Sequence, residues 1–235
     1  MTHVRRSVAL LALCLVPLAA CGGNATSPPA SNRSQAEPAS TPADPAADPR
    51  PKIVALGDSL TAGLGVAESQ AYPAVLQEKI DADGYVYEVV NMGVSGDTSA
   101  GGLRRLDWAL EGNVKVLIVA LGANDGLRGL RPDEMKKNLE RIIERAKEDN
   151  IIVILAGMEA PPNYGAEYTA AFRRVYPELA REQNVRLLPF LLDGVAGDAA
   201  LNQSDGIHPN ARGAEIIADG IWKVLQPVLD ELNAS

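Results

Sequence analysis

The sequence predicts a three-layer α/β/α domain on a five-stranded parallel sheet. Three observations predict it. Short apolar runs rich in Val, Ile and Leu recur along residues 51–235, stretches of helical pattern separate them, and polar, glycine-rich turns follow four of the five runs. Continuous apolar runs mark strands buried on both faces, and helical crossovers between them call for a parallel sheet. Right-handed crossovers then put helices on both sides of it.

The elements follow in order. Lys52–Leu56 is an apolar run ending at Gly57 and reads as the first strand. Pro73–Ala82 reads as a helix, and Tyr85–Asn91, rich in Val and Tyr, as the second strand. Ser99–Leu110 is helical in pattern, and Val114–Leu121 is a continuous β-branched third strand. Pro132–Asn150 is a long charged helix, with proline suited to its first turn. Ile151–Ala156 is the fourth strand, Ala166–Asn184 a helix, and Val185–Pro189 the fifth strand. Ala211–Leu232 is the last helix, expected to pass Pro227 only with a kink or break.

Composition bounds the function. Hydrophobic residues make up 46% of the 235-residue chain and charged residues 22%, as in a globular core with a solvated surface. The net charge of −8 argues against nucleic acid as a partner and against attraction to anionic headgroups. With two Trp, six Tyr and two Phe, no base-stacking platform is evident. The two cysteines, Cys14 and Cys21, precede the domain, which excludes a disulfide or cysteine metal site within it.

The first twenty residues read as an address. Arg5 and Arg6 precede an apolar run from Val8 to Ala20, too short to span a bilayer but right for a signal peptide. Its end, Leu18-Ala-Ala-Cys21-Gly, resembles the lipobox of bacterial lipoproteins. That resemblance implies export and acyl anchoring at Cys21, with the protein held on a membrane facing the periplasm or cell exterior. A plain cleaved signal, or a twin-arginine route from Arg5-Arg6, is the alternative. Residues 21–50, dominated by Ala, Pro, Ser, Asn and Asp, cannot bury a core and read as a tether, leaving 51–235 as the domain.

In doubly wound sheets, sites gather beyond the carboxyl ends of the strands. Gly57-Asp-Ser59-Leu follows strand one, Asn91-Met-Gly93-Val-Ser95-Gly-Asp97 strand two, Gly122-Ala-Asn124-Asp125 strand three, and Asp205-Gly-Ile-His208-Pro stands before the last helix. A serine hydroxyl needs a base to become a nucleophile, and the base is usually histidine. His208 is the one histidine of the domain. Asp205, three residues earlier, can hold the far ring nitrogen. Gly93 and Ser59 can offer backbone N–H groups, and Asn124 a side-chain amide, to an oxyanion. Each block has a plainer reading, since Asp58 or Ser59 can cap a helix and Asn124-Asp-Gly can be only a turn. Ser95 reads as a turn residue, and Asp97 and Asp125 as hydrogen-bonding supports. Tyr164, Tyr168 and Phe172 read as a lid or as core.

Together, Gly57-Asp-Ser59-Leu, Gly93 in its block, Gly122-Ala-Asn124-Asp and Asp205-Gly-Ile-His208 resemble the four blocks of the SGNH hydrolases, or GDSL esterases/lipases. The similarity runs over nearly all of residues 52–232. Gly96-Asp-Thr-Ser99, Asn124-Asp-Gly-Leu-Arg-Gly129 and Pro162-Asn-Tyr-Gly165 resemble the thioesterase I / lysophospholipase / arylesterase branch in particular. The resemblance implies a flavodoxin-like strand order 2-1-3-4-5 and hydrolysis of acyl esters or thioesters without cofactor or metal. By motif it makes Ser59 the nucleophile, His208 the base, Asp205 its orienter, and Ser59, Gly93 and Asn124 the oxyanion donors. A monomer is expected. The lipobox and the small, alanine-rich Leu191–Asn202 loop depart from the branch, which bears on the natural substrate and the acyl pocket wall. A carbohydrate O-acetyl esterase and a tethered binding protein without catalysis are the competing readings.

Overall fold

The computed structural model describes residues 50–234. The signal segment, Cys21 and the tether lie outside the described residues, Arg50 excepted. In chain order the elements are β1 (Lys52–Gly57), α1 (Ser59–Ala62), a 3₁₀ turn (Glu68–Gln70), α2 (Tyr72–Ala82), β2 (Glu88–Gly93), α3 (Ser99–Arg104) and α4 (Leu106–Ala109). Then come β3 (Val114–Ala120), α5 (Ala123–Leu127), α6 (Pro132–Glu148), β4 (Ile152–Ala156), a 3₁₀ turn (Pro162–Tyr164), α7 (Ala166–Gln183), β5 (Arg186–Leu188) and α8 (Ala211–Asn233).

All five strands are parallel, in the order β2-β1-β3-β4-β5. The order is the one implied by the resemblance. The apolar runs explain the burial: Ile53 to Leu56 and Val116 to Leu121 are almost wholly removed from solvent. Helix α2 packs on α8, while α6 packs on α3 and α7. The register matters most for function. Gly57 pairs with Gly93 on one side and with Ala120 on the other. Three strands therefore end level, and the turns leaving them start from one edge.

Some elements differ from the sequence expectation. The helix expected over Ser99–Leu110 is two, α3 and α4, separated at Arg105. There the guanidinium turns inward to Asp97 Oδ2 (2.6 Å), Met92 O (2.8 Å) and Gly57 O (2.8 Å). The second strand starts three residues late because Tyr85 and Tyr87 reach out to α8 instead, to Asp230 and Asn233. Pro227 does not break the last helix, which runs unbroken from Ala211 to Asn233, and Pro177 sits inside α7 in the same way. Each removes one backbone donor, and the apolar stripes of both helices, buried through Leu179, Val228 and Leu229, offset that loss.

Candidate active site

Level strand ends bring four turns together. Beyond β1 the chain folds at once into α1, a helix of four residues capped by Asp58, whose Oδ1 accepts from Leu60 N at 3.0 Å. Ser59 is its first residue and is half-buried. Its Oγ lies 2.9 Å from His208 Nε2. On the far side of the ring, Nδ1 lies 2.7 Å from Asp205 Oδ2. Asp205 Oδ1 accepts from the N–H groups of Ile207 (2.9 Å) and His208 (3.0 Å). The His208 N–H first, then the ring, then the Ile207 N–H hold its carboxyl well below the usual carboxylate range. An ionised carboxylate only accepts, so the ring proton sits on Nδ1 and Nε2 is left to accept from the serine.

The loop carrying the pair is closed on itself. Gln203 N donates to His208 O at 2.7 Å, Asn210 N to Leu201 O at 2.9 Å, and Asn202 bridges to Pro209. Gln203 Nε2 also donates to Leu64 O (2.6 Å) and Pro209 O (3.0 Å), tying the loop to the chain just after α1. Asn210 then caps α8 by accepting from Gly213 N at 3.1 Å. The sequence spacing Asp-x-x-His works because this turn points one carboxylate oxygen at its own backbone N–H groups and the other at the ring.

Asn124, second residue of α5, donates from Nδ2 to Asp97 O (2.9 Å) and to Asp58 Oδ2 (3.3 Å). Asp58 is buried, and burial pushes its carboxyl up to about 6, against the downward pull of the Leu60 N–H. Asp97 and Asp125 act as supports. Asp97 pairs with Arg105, and Asp125 accepts from Ser99 N (2.7 Å) and Oγ (2.6 Å).

Gly93 departs from its expected place. It does not line the cavity beside Ser59, and its N–H donates to Asn91 Oδ1 at 2.9 Å. A Cβ on Gly93 would stand 2.1 Å from Ala62 N, so this glycine lets β2 pass close beneath α1. The structure brings Gly96 to the cavity instead. Gly96 has φ +84° in the turn closed by Asp97 N on Val94 O, and its own N–H makes no hydrogen bond among the described residues. The sequence block held both glycines; the signal separating them was distance from the strand end, since Gly93 is still paired in β2.

The cavity measures about 600 Å³. Ser59, Ser95, Gly96, Asn124 and His208 stand at one part of it. Met158 and Ala160 after β4, with Phe190, Leu192 and Ala196 after β5, give it apolar walls. The 190s loop thus forms pocket wall. After β4 the sequence marked Pro162-Asn-Tyr-Gly165, but Met158 and Ala160 just before it carry no motif. Tyr164, Tyr168 and Phe172 do not line the cavity. They form an aromatic ladder ending on Tyr176, with centroid spacings of 5.2, 6.2 and 5.9 Å. The Tyr164 hydroxyl donates to Leu127 O (3.0 Å) and that of Tyr168 to Leu130 O (2.7 Å), bracing the loop after α5. Among the described residues, no three His, Cys, Asp or Glu side chains gather as metal ligands.

The family model of the GDSL-like lipase/acylhydrolase family matches residues 55–216. The chain belongs to that family. The GDSL-like fold and its acyl-ester chemistry are thus those expected from the sequence. The chain is 42% identical over 178 residues to Esterase TesA of Pseudomonas aeruginosa, covering 75% of this chain and 89% of that one. It is 41% identical over 179 residues to Thioesterase 1/protease 1/lysophospholipase L1 of Escherichia coli K12, covering 76% and 85%. A crystal structure of TesA superposes with a TM-score of 0.72 at 41% identity, covering 75% of this GDSL-like chain and 98% of the other. Family membership makes this GDSL-like protein an ester-bond hydrolase.

Proposed function

We propose that the protein hydrolyses carboxylic esters or thioesters of fatty acyl chains through a Ser59–His208–Asp205 triad. The observation that carries this reading is the serine-to-histidine-to-aspartate relay, at 2.9 and 2.7 Å, opening on an apolar-walled cavity. Ser59 Oγ attacks the acyl carbonyl carbon while its proton passes to His208 Nε2. The carbonyl oxygen takes the charge, facing the Ser59 and Gly96 N–H groups and the Asn124 amide, which exchanges its long 3.3 Å bond to Asp58 for the oxyanion. The tetrahedral adduct collapses, the alcohol or thiol leaves with the Nε2 proton, and an acyl-serine remains. Water then attacks the acyl-serine, giving its proton to Nε2 and restoring Ser59 as the fatty acid departs. Asp205 stays ionised throughout and stabilises the imidazolium.

A volume of about 600 Å³ lies well within the range of ligand pockets. It suits an acyl chain laid along Met158, Ala160, Phe190 and Leu192 better than an acetyl group alone. We further read the protein as an exported lipoprotein, anchored by acyl chains on Cys21. The supports are the sequence Leu18-Ala-Ala-Cys21 and the apolar run before it.

Turnover of p-nitrophenyl esters from acetyl to palmitoyl, with Ser59→Ala as control, tests the enzymatic reading. Activity that extends to long chains and vanishes in the variant is expected. Activity on acetyl alone would favour glycan deacetylation, and retention in Ser59→Ala would overturn the triad. Cys21→Ser is expected to abolish incorporation of labelled fatty acid into the protein, and incorporation that persists would overturn the anchor.

A further inference from the structure

Eight large hydrophobic side chains stand exposed among the described residues. Six of them lie on the segments just beyond the carboxyl ends of the strands: Leu64, Val94, Leu127, Leu130, Tyr164 and Ile207. The other two, Val86 before β2 and Trp108 on α4, lie apart from those segments. Exposed apolar residues scattered singly are ordinary, whereas a group around an opening marks an interaction surface. Leu64, Leu127 and Ile207 also line the cavity, so rim and cavity form one apolar surface. The Leu127–Leu130 segment is held in place, because the hydroxyls of Tyr164 and Tyr168 fasten its carbonyls.

We propose that this rim seats the domain, mouth downward, on a zwitterionic lipid surface, so that acyl chains enter the cavity without crossing water. The proposal rests on the acyl-hydrolase reading above. Three observations choose lipid as the occupant. The rim is continuous with the apolar cavity that would receive the chain. Tyr164, amphipathic and exposed at the rim, is of the type that settles at membrane interfaces. Charge then selects the lipid. Removing the four Arg and three acidic residues of residues 1–50 from totals of 22 and 30 leaves 18 basic and 27 acidic in the domain. The domain as a whole is repelled by anionic headgroups, and Arg128 and Arg131 beside the rim leucines already have Gly96 O and Asp133 as partners, so contact is expected to be apolar and insensitive to salt.

Chain length permits the arrangement. Arg50 leads into the amino end of β1, the pole away from the mouth. Residues 22–50 span up to about 95 Å when extended, and a domain of this size is about 40 Å across. A chain held at Cys21 can therefore still turn its mouth to the same surface.

The domain contains no cysteine, which makes a direct test available. The full chain with Cys14→Ser and Cys21→Ser takes a single thiol at Leu130→Cys or at Val86→Cys, labelled with a polarity-sensitive fluorophore. With phosphatidylcholine vesicles the label at 130 is expected to shift to the blue and to be quenched by brominated acyl chains, while that at 86 is not. The reverse pattern, or no quenching at either place, overturns the proposal. So does binding that needs phosphatidylglycerol and fades with salt. As a second measurement, Leu130→Asp is expected to leave monomeric p-nitrophenyl butyrate hydrolysis within about two-fold. The same variant is expected to slow hydrolysis of a long-chain ester carried in phosphatidylcholine vesicles at least ten-fold. Equal rates on the vesicle substrate overturn docking. If the parent chain hydrolyses no ester while the label at 130 is still quenched, the hydrolase reading fails and the docking surface stands.

Discussion

Asn124 Nδ2 donates to Asp58 Oδ2 at 3.3 Å, joining the turn after β3 to the buried cap of the helix that carries Ser59. The hydrogen bond offsets part of a cost set by burial. Asp58 is buried, and taking its charge out of water lifts its carboxyl to about 6, while the unfolded chain titrates near 3.8.

Stability should therefore depend on Asp58 in a definite direction. Between pH 3.8 and about 6 the folded state binds the proton and the unfolded state does not. Stability from this group is full below pH 3.8 and is lost as pH rises through about 6. The shift corresponds to about 3 kcal/mol. Asp58→Asn is expected to raise Tm at pH 8 by roughly 5 °C or more, with the gain disappearing near pH 4. Calorimetry across that range checks it; a loss of equal size at both pH values would show that the hydrogen bonds outweigh the charge.

Gly93 and Gly96 should fail differently. Gly93→Ala drives a methyl against the backbone of Ala62 and is expected to cost about 3 kcal/mol in stability. Gly96→Ala has space, its nearest neighbour being Arg128 Nη2 at 3.7 Å, but must hold φ +84°. It is expected to fold with a cost of about 1 kcal/mol and to lower kcat by ten- to a hundred-fold by displacing an oxyanion donor. Denaturant unfolding and steady-state kinetics on both variants separate the two roles. A Gly93→Ala protein that is stable but slow would restore the original assignment.

Arg105 holds Asp97 and the carbonyls that end β1 and β2. Both side chains of the ion pair are only 15% exposed. Arg105→Met leaves Asp97 without its partner and is expected to cost about 3 kcal/mol. Lysine keeps the charge but cannot reach three acceptors with one fork, so Arg105→Lys should recover less than half of the loss. Urea midpoints measure this directly.

Ala196 is exposed at the cavity wall, where a larger side chain costs the fold little. Ala196→Trp is expected to shorten the usable cavity. The ratio of kcat/KM for palmitoyl over butyryl ester should fall about ten-fold, with butyryl turnover nearly unchanged. An unchanged ratio would move the acyl chain to another wall.

Much of this molecule was legible in its sequence. Continuous Val and Ile runs need a sheet covered on both faces, and that fixed five strands. Ser59, Asn124, Asp205 and His208 were readable because each follows or precedes a regular element in a short turn, where spacing dictates direction. The structure places all four at one edge. Gly93 was not separable from Gly96, because which glycine leaves the sheet depends on where β2 ends, and strand ends are set by pairing with β1. The Arg105 clamp was hidden for a similar reason: its three acceptors come from residues 57, 92 and 97. Met158 and Ala160 carry no motif; they matter only because β4 ends beside β3.

The partners Ser59 and His208 are separated by 149 positions along the chain. Synthesis therefore delivers every strand of the sheet before it delivers His208. A growing or truncated polypeptide that stops short of residue 208 displays its serine with no group to take the proton, and such a hydroxyl is inert toward esters.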